Sequence, residues 1–176
     1  MNIIVNNYNN LKDEDITDIT IKVKALMLNS NEEILLASVG SEYHFPGGKK
    51  EMQEGIDETI KREIKEETGI DVSKMDLEPF AQLIMYFKDH PEKDRNKKVI
   101  IYYYEIFTDE EPNHDEMALT KNEQSKNFKI IKVKFNDLKE ILINNAIKYG
   151  DKKGIVQEML QILEVYNKED KWRKYI

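Results

Sequence analysis

The chain has 176 residues, 40% of them hydrophobic and 35% charged, so it is long enough to bury one substantial core and has no disordered or fibrous bias. Its net charge of −7 argues against a general nucleic-acid-binding surface, and the absence of cysteine excludes disulfides, thiolate metal sites and cysteine nucleophiles. The first residues carry neither a basic stretch nor a long apolar run, and no segment approaches the roughly 18 apolar residues of a spanning helix, so the expected setting is cytoplasmic with no membrane partner.

In chain order, residues 19–28 and 32–38 read as two strands joined by the Asn29-Ser30-Asn31 turn. Residues 43–45 read as a short strand running into Pro46-Gly47-Gly48, and a helix is predicted over 55–68. Asp57 and Glu58 lie in its first turn, where the macrodipole favours acids, and Gly69 is placed to end it. Segments 77–88, 98–107 and 128–135 are rich in Ile, Tyr, Phe and Val and read as strands, with a charged hairpin loop over 89–97. Within Tyr102-Tyr103-Tyr104, alternation puts Tyr102 and Tyr104 on one face and Tyr103 on the other, so at least one is core and another could stack on a base. A helix follows Phe135, capped by Asn136 or Asp137 and carrying Leu138, Ile141 and Leu142; a last helix runs over 154–166 with apolar positions 155, 156, 159, 160, 163 and 166. This order predicts a single domain over 1–176, an α/β/α sandwich around a mixed β-sheet, with 1–18 and an extra C-terminal helix region at 151–176 as extensions.

The helix over 55–68 has charge on the wrong side. With Ile56 as zero and about 100° per residue, Ile60 and Ile64 fall at about 40° and about 80°, a core-facing stripe. Glu63 and Glu67 fall at about 340° and about 20°, inside or beside that stripe, and Glu66 borders it at about 280°. Glu58, Lys61, Arg62 and Lys65 take the opposite arc, where solvated charge belongs. Most glutamates of such a helix would be solvated. Three that converge beside a core need cations or donors, because desolvating a carboxylate costs several kcal/mol. A hard divalent ion, Mg²⁺ or Mn²⁺, relieves both burial and mutual repulsion through oxygen coordination. Arg62 is the local counter-charge, and its fork can hold a carboxylate in one orientation.

Residues 48–70 resemble the Nudix box, G-x5-E-x7-R-E-U-x-E-E-x-G-U with U aliphatic, filled here by Gly48, Glu54, Arg62, Glu63, Ile64, Glu66, Glu67, Gly69 and Ile70. The preceding His44-Phe45-Pro46-Gly47-Gly48 is similar to the Pro-Gly-Gly lead-in of many members. The resemblance implies a Nudix-type fold and a divalent-metal-dependent hydrolysis, by water attack at phosphorus, of a diphosphate linkage in a nucleoside diphosphate joined to a moiety X. It implies that Glu63, Glu66 and Glu67 bind metal with the Gly47 carbonyl as a further ligand, that Glu63 is a candidate general base, and that Glu54 and Arg62 form a supporting ion pair. Gly48 and Lys49 are candidate substrate contacts, whereas Lys50 reads as surface. In many members a further carboxylate comes from a loop before the penultimate strand; Glu123 is the candidate by position, against the plainer reading of a surface glutamate.

His44, His90 and His114 have no metal-ligand spacing; His44 lies within reach of substrate, although a partly exposed strand histidine accounts for it equally well. The alternative function is a non-catalytic ligand-sensing module, which the complete box weighs against. Isoprenoid diphosphate isomerisation is rejected because those relatives use a cysteine, and RNA cap removal is disfavoured by the acidic charge. The partner is a small nucleotide-type diphosphate, with nucleic acid disfavoured. The C-terminal helix and the Trp172-Arg173-Lys174-Tyr175 tail are candidates to cap the site or to build a homodimer.

Overall fold

The structure, a computed structural model, describes residues 1–168, so the 172–175 tail lies outside the described residues. The chain opens with β1 (Asn2–Asn6), followed by β2 (Asp18–Leu28), β3 (Glu33–Val39) and β4 (Glu42–His44). The helix α1 (Ile56–Thr68), β5 (Pro79–Phe87) and β6 (Lys97–Phe107) come next. A short α2 (Lys121–Ser125), β7 (Lys129–Lys134), α3 (Leu138–Tyr149) and α4 (Ile155–Lys168) complete the described part.

Seven strands form one mixed sheet in the order β1-β5-β6-β2-β3-β4, with β7 paired to β3. β2 runs parallel to β6 along its whole length, from Asp18 opposite Lys97 to Leu28 opposite Phe107. β2 and β3, predicted as a simple hairpin, pair only at Leu28 and Ile34 and then part, because β3 takes β7 and β4 as neighbours. The edge this frees on β2 is filled by the segment after β4. Ala25 N–H donates to the Pro46 carbonyl at 2.8 Å, Val23 N–H to the Gly48 carbonyl at 2.9 Å, and Lys50 N–H to the Ile21 carbonyl at 3.0 Å. The glycine loop is thereby fixed to a central strand.

Alternation along β2 gives the sheet two different faces. Val23, Ala25 and Met27 pack with Tyr104 and Ile106 against Ile60 and Ile64 of α1. Leu26 and Leu28 pack with Ile101 and Tyr103 against Leu138 and Leu142 of α3 and Met159, Ile162, Leu163 and Tyr166 of α4. This is the expected α/β/α arrangement, with the expected C-terminal helix. Tyr103 and Tyr104 are both buried, on opposite faces, and Tyr102 is partly buried.

The N-terminal segment read as a bare extension contains β1, which pairs in parallel with β5 from Asn2 opposite Ala81 to Asn6 opposite Met85. Glu58 accepts from Gly55 N–H at 2.7 Å at the start of α1, and Gly69 ends it with φ +73°; a Cβ at Gly69 would lie 2.1 Å from the Asn113 carbonyl oxygen. Before α3, Phe135–Asp137 form a single 3₁₀ turn, and Asp137 occupies the cap without a side-chain hydrogen bond. The first turn of α4 is held by Asp151, whose two carboxylate oxygens accept from Val156 N–H at 3.1 Å and Gln157 N–H at 3.0 Å.

Candidate functional site

The site forms where the glycine loop, held on β2, meets the α1 face that carries charge. Gly47 has φ +137°, and a Cβ there would lie 2.2 Å from the Val23 carbonyl oxygen, so only glycine fits. Its N–H donates to Glu67 Oε2 at 2.8 Å. The Pro46 and Gly48 carbonyls are both committed to β2, which leaves the Gly47 carbonyl outside that pairing. Gly48 matters differently: a Cβ there would meet the Glu63 carboxylate at 2.4 Å, so the carboxylate packs directly on the loop backbone.

Arg62 organises the acids around it. Nε donates to Glu54 Oε1 at 2.5 Å and Nη2 to Glu54 Oε2 at 3.1 Å, a two-pronged pair across the junction between loop and helix. Nη1 lies 2.9 Å from Glu66 Oε2 and 3.0 Å from Glu63 Oε1, and Nη2 reaches the Lys49 carbonyl at 3.3 Å. The Arg62 hydrogen bonds hold the Glu54 carboxyl at about 2. Thr59, fully buried, donates to Glu54 Oε2 at 3.1 Å and to the Gly55 carbonyl at 2.8 Å. Sequence reasoning missed Thr59; the available signal was its place on the buried side of α1 one turn before Arg62 and Glu63.

Glu63 and Glu67 lie where the helical wheel put them, facing inward; Glu66 is the most open of the three. Burial raises the Glu63 carboxyl, against the pull of Arg62. Burial pushes Glu67, 8% exposed, up to about 8, and Gly47 N–H offsets only part of this. No cationic side chain lies within ion-pair distance of Glu67 among the described residues, so it is buried with a dipole and no counter-charge. Among the described residues no three acidic or histidine side chains converge as a ready-made metal cluster, since Arg62 bridges Glu63 and Glu66. The donor chemistry nevertheless fits a hard divalent cation: carboxylate oxygens, a loop carbonyl outside the β2 pairing, and a buried acid with no cation partner among the described residues.

Glu123 sits on α2 rather than in a loop, and its Oε2 accepts from Thr120 N–H at 2.7 Å and Thr120 Oγ1 at 2.8 Å as a capping residue. Its charge still reaches the site, raising both Glu63 and Glu67. Lys49 is exposed beside the loop, and Lys50 turns away to the Glu51 carbonyl at 3.0 Å. His44, half-buried on β4, is pushed down to about 4 by burial and by Lys24. No helix among the described residues is long and apolar enough to cross a membrane.

Comparison with known proteins bears on the fold and the family. None of the curated proteins matches the chain significantly. Among solved structures it is similar to a mutator MutT protein from Bacillus halodurans, at 22% identity and TM-score 0.50, covering 69% of this chain and 72% of that one. It is also similar to DR0079 from Deinococcus radiodurans, at 16% identity and TM-score 0.51, covering 81% of each chain. An Ap4A hydrolase from C. elegans aligns at 18% identity and TM-score 0.46, over 85% of this chain and 96% of that one. At such identities the likeness to the first two speaks to fold. The profile of the NUDIX domain matches residues 19–159, which takes in the sheet from β2 onward, the glycine loop, all of α1 and the first turns of α4; the chain belongs to the Nudix family of hydrolases.

Proposed function

We propose that this chain hydrolyses the diphosphate linkage of a nucleotide-type substrate with a divalent cation, Mg²⁺ or Mn²⁺, held by Glu63, Glu66, Glu67 and the Gly47 carbonyl. The observation that carries this reading is Glu67, a carboxylate buried against the core with one backbone N–H and no counter-charge among the described residues. A cation bound there supplies neutralising charge for the diphosphate, Lewis acidity, and a lower pKa for a bound water. The residues of the chain do the rest. Glu54, itself held by Thr59, fixes the Arg62 guanidinium, and Arg62 in turn fixes Glu63 and Glu66, so the acids are oriented before substrate arrives. Gly48 leaves room for Glu63 against the loop backbone. Glu63, whose proton affinity burial raises, is the candidate to take the proton of the attacking water. Lys49, exposed at the rim, is placed to meet a phosphate, and Glu123 supplies further negative charge nearby.

A phosphate-release screen over diphosphate compounds, with Mg²⁺ and with Mn²⁺, tests the reading. Glu66→Gln and Glu67→Gln are expected to lose about 100-fold or more in turnover with the fold retained by circular dichroism. Full activity in chelator, or in both variants, would sink it.

A further inference from the structure

The first strand differs from the other outer strands of the sheet. The sheet ends at β1 on one side and at β4 and β7 on the other. A bare strand edge invites pairing with another chain, and short length or charge, lysine above all, normally discourages it. β4 is three residues long and carries Glu42, and β7 carries Lys129, Lys132 and Lys134. β1 has no such protection. Residues 1–11 hold no charged side chain in a chain that is 35% charged, and β1 contains no proline. Its ladder to β5 runs without a register shift from Asn2 to Asn6. Among the described residues, no segment other than β5 makes a backbone hydrogen bond to Ile3, Ile4 or Val5.

Alternation divides the strand. Ile4 packs into the core on the α4 side of the sheet. Ile3 and Val5 point to the opposite side and are 60% and 56% exposed, and Met1 and Tyr8, which flank the strand, are more exposed still. The strand also reads almost the same in both directions. Asn2-Ile3-Ile4-Val5-Asn6 has Ile4 at its centre, a β-branched residue on each side of it and an amide at each end. A two-fold axis asks for this, because one patch must then be complementary to itself. In an antiparallel pair centred on Ile4, Ile3 lies opposite the partner's Val5, Ile4 opposite the partner's Ile4, and Asn2 opposite the partner's Asn6. β-branched residues directly opposite one another are favourable cross-strand neighbours. Charge selects the same place: two copies that each carry −7 repel one another, and at this edge they bring no charged side chains together.

We propose that a second copy of this chain pairs its β1 antiparallel to this one, continuing the seven-stranded sheet across a two-fold axis at Ile4. Ile3 and Val5 of both copies then form one apolar strip on the sheet face that a single copy leaves exposed. Five ladder residues and two flanking side chains fall short of the roughly 20–30 residues a side of a standard interface, so the dimer forms reversibly with concentration. The homodimer is thereby assigned to the N-terminal strand rather than to the C-terminal helix, and the inference is independent of the hydrolase reading.

Sedimentation equilibrium of the full chain from about 1 μM to about 1 mM tests it. The mass is expected to rise from 20.8 kDa toward twice that value. Two double variants read the register. Ile3→Lys with Val5→Lys sets like charges opposite each other in both outer pairs and should weaken the dimer about tenfold or more. Ile3→Lys with Val5→Glu sets opposite charges against each other in the same pairs and should keep the dimer within about threefold of the wild type. A chain that stays monomeric throughout leaves the edge to some other partner and overturns the inference. Equal loss in both variants also overturns it, since an apolar contact without strand register would behave so. No loss in either variant overturns it too, because the dimer would then form elsewhere. If circular dichroism shows that the substitutions cost the fold, the wild type decides. Exchange of the Ile3, Ile4 and Val5 amides should slow as concentration rises through the dimerisation range, and exchange independent of concentration overturns the inference.

Discussion

Glu67 on α1 and Glu158 on α4 are buried to the same degree on opposite faces of one sheet, yet their proton affinities move in opposite directions. Burial alone pushes both up. For Glu158, Lys24 and then Tyr103 more than reverse that push, and the carboxyl is held below its ordinary value. For Glu67 the only direct donor among the described residues is Gly47 N–H, and the carboxyl rises to about 8. Equal burial therefore marks two different roles. One acid has its counter-charge within the chain; the other has none among the described residues, which is what the proposed cation site requires.

The largest effect expected from breaking this contrast is at Lys24. Lys24→Met keeps the buried stem and deletes the charge, turning Glu158 into a second unpaired acid. Removing one partner of a buried pair costs about 3–5 kcal/mol, so denaturant unfolding should show a loss of that order at neutral pH. The Glu158 carboxyl should then titrate above its ordinary range by carboxylate NMR. A variant with unchanged stability and an unmoved Glu158 would show that the pair contributes nothing.

Why one acid was legible in the sequence and the other was not follows from distance along the chain. Glu54, Arg62, Glu63, Glu66 and Glu67 lie within fourteen residues; helical periodicity was enough to place Glu63 and Glu67 inward, and the resemblance to the box implied the pairing of Arg62 with Glu54. The Lys24–Glu158 pair is separated by 134 residues, and each member taken singly reads as a solvated charge on an amphipathic element. The same reason hid β1. Asn2-Ile3-Ile4-Val5-Asn6 is five residues long, and its parallel partner β5 lies far along the sequence, with β2, β3, β4 and α1 between them. Local pattern gave the remaining strands and the helices α1, α3 and α4 to within a few residues, and missed only the short α2. The parting of β2 from β3 escaped because it depends on competition from β7 and the 46–50 segment for the strand edges.

A smaller effect, and one that tests the incomplete acid directly, is the pH dependence of the metal-free protein. The folded-state Glu67 carboxyl binds its proton more tightly than the unfolded one, so its contribution is greatest at low pH and is lost as pH rises from about 4.5 through about 8. In chelator, the wild-type protein should lose stability relative to Glu67→Gln progressively across that window, as read from parallel urea titrations. Divalent ion should restore the wild type and leave Glu67→Gln nearly unchanged. Parallel curves for the two proteins in chelator would mean that Glu67 ionises in the fold without cost, and the case for a missing cation would lose its foundation.

The smallest expected effect separates the two groups that complete Glu158. Tyr103→Phe removes the 2.6 Å hydroxyl bond to Oε1 and leaves the ring packed edge-on against Phe45 and the Lys24 charge in place. A hydrogen bond to a charged acceptor contributes about 1.5–3 kcal/mol, and the ion pair that survives should hold the loss to the low end of that range. If Tyr103→Phe costs as much as Lys24→Met, the hydroxyl and the ammonium act as one unit, and Glu158 is kept ionised by the network rather than by the lysine. If it costs far less, charge alone accounts for the contrast with Glu67, and the hydroxyl chiefly fixes the orientation of the carboxylate. That second outcome is the expected one, because Oε1 already has the ammonium within bonding distance and Tyr103 adds direction more than charge.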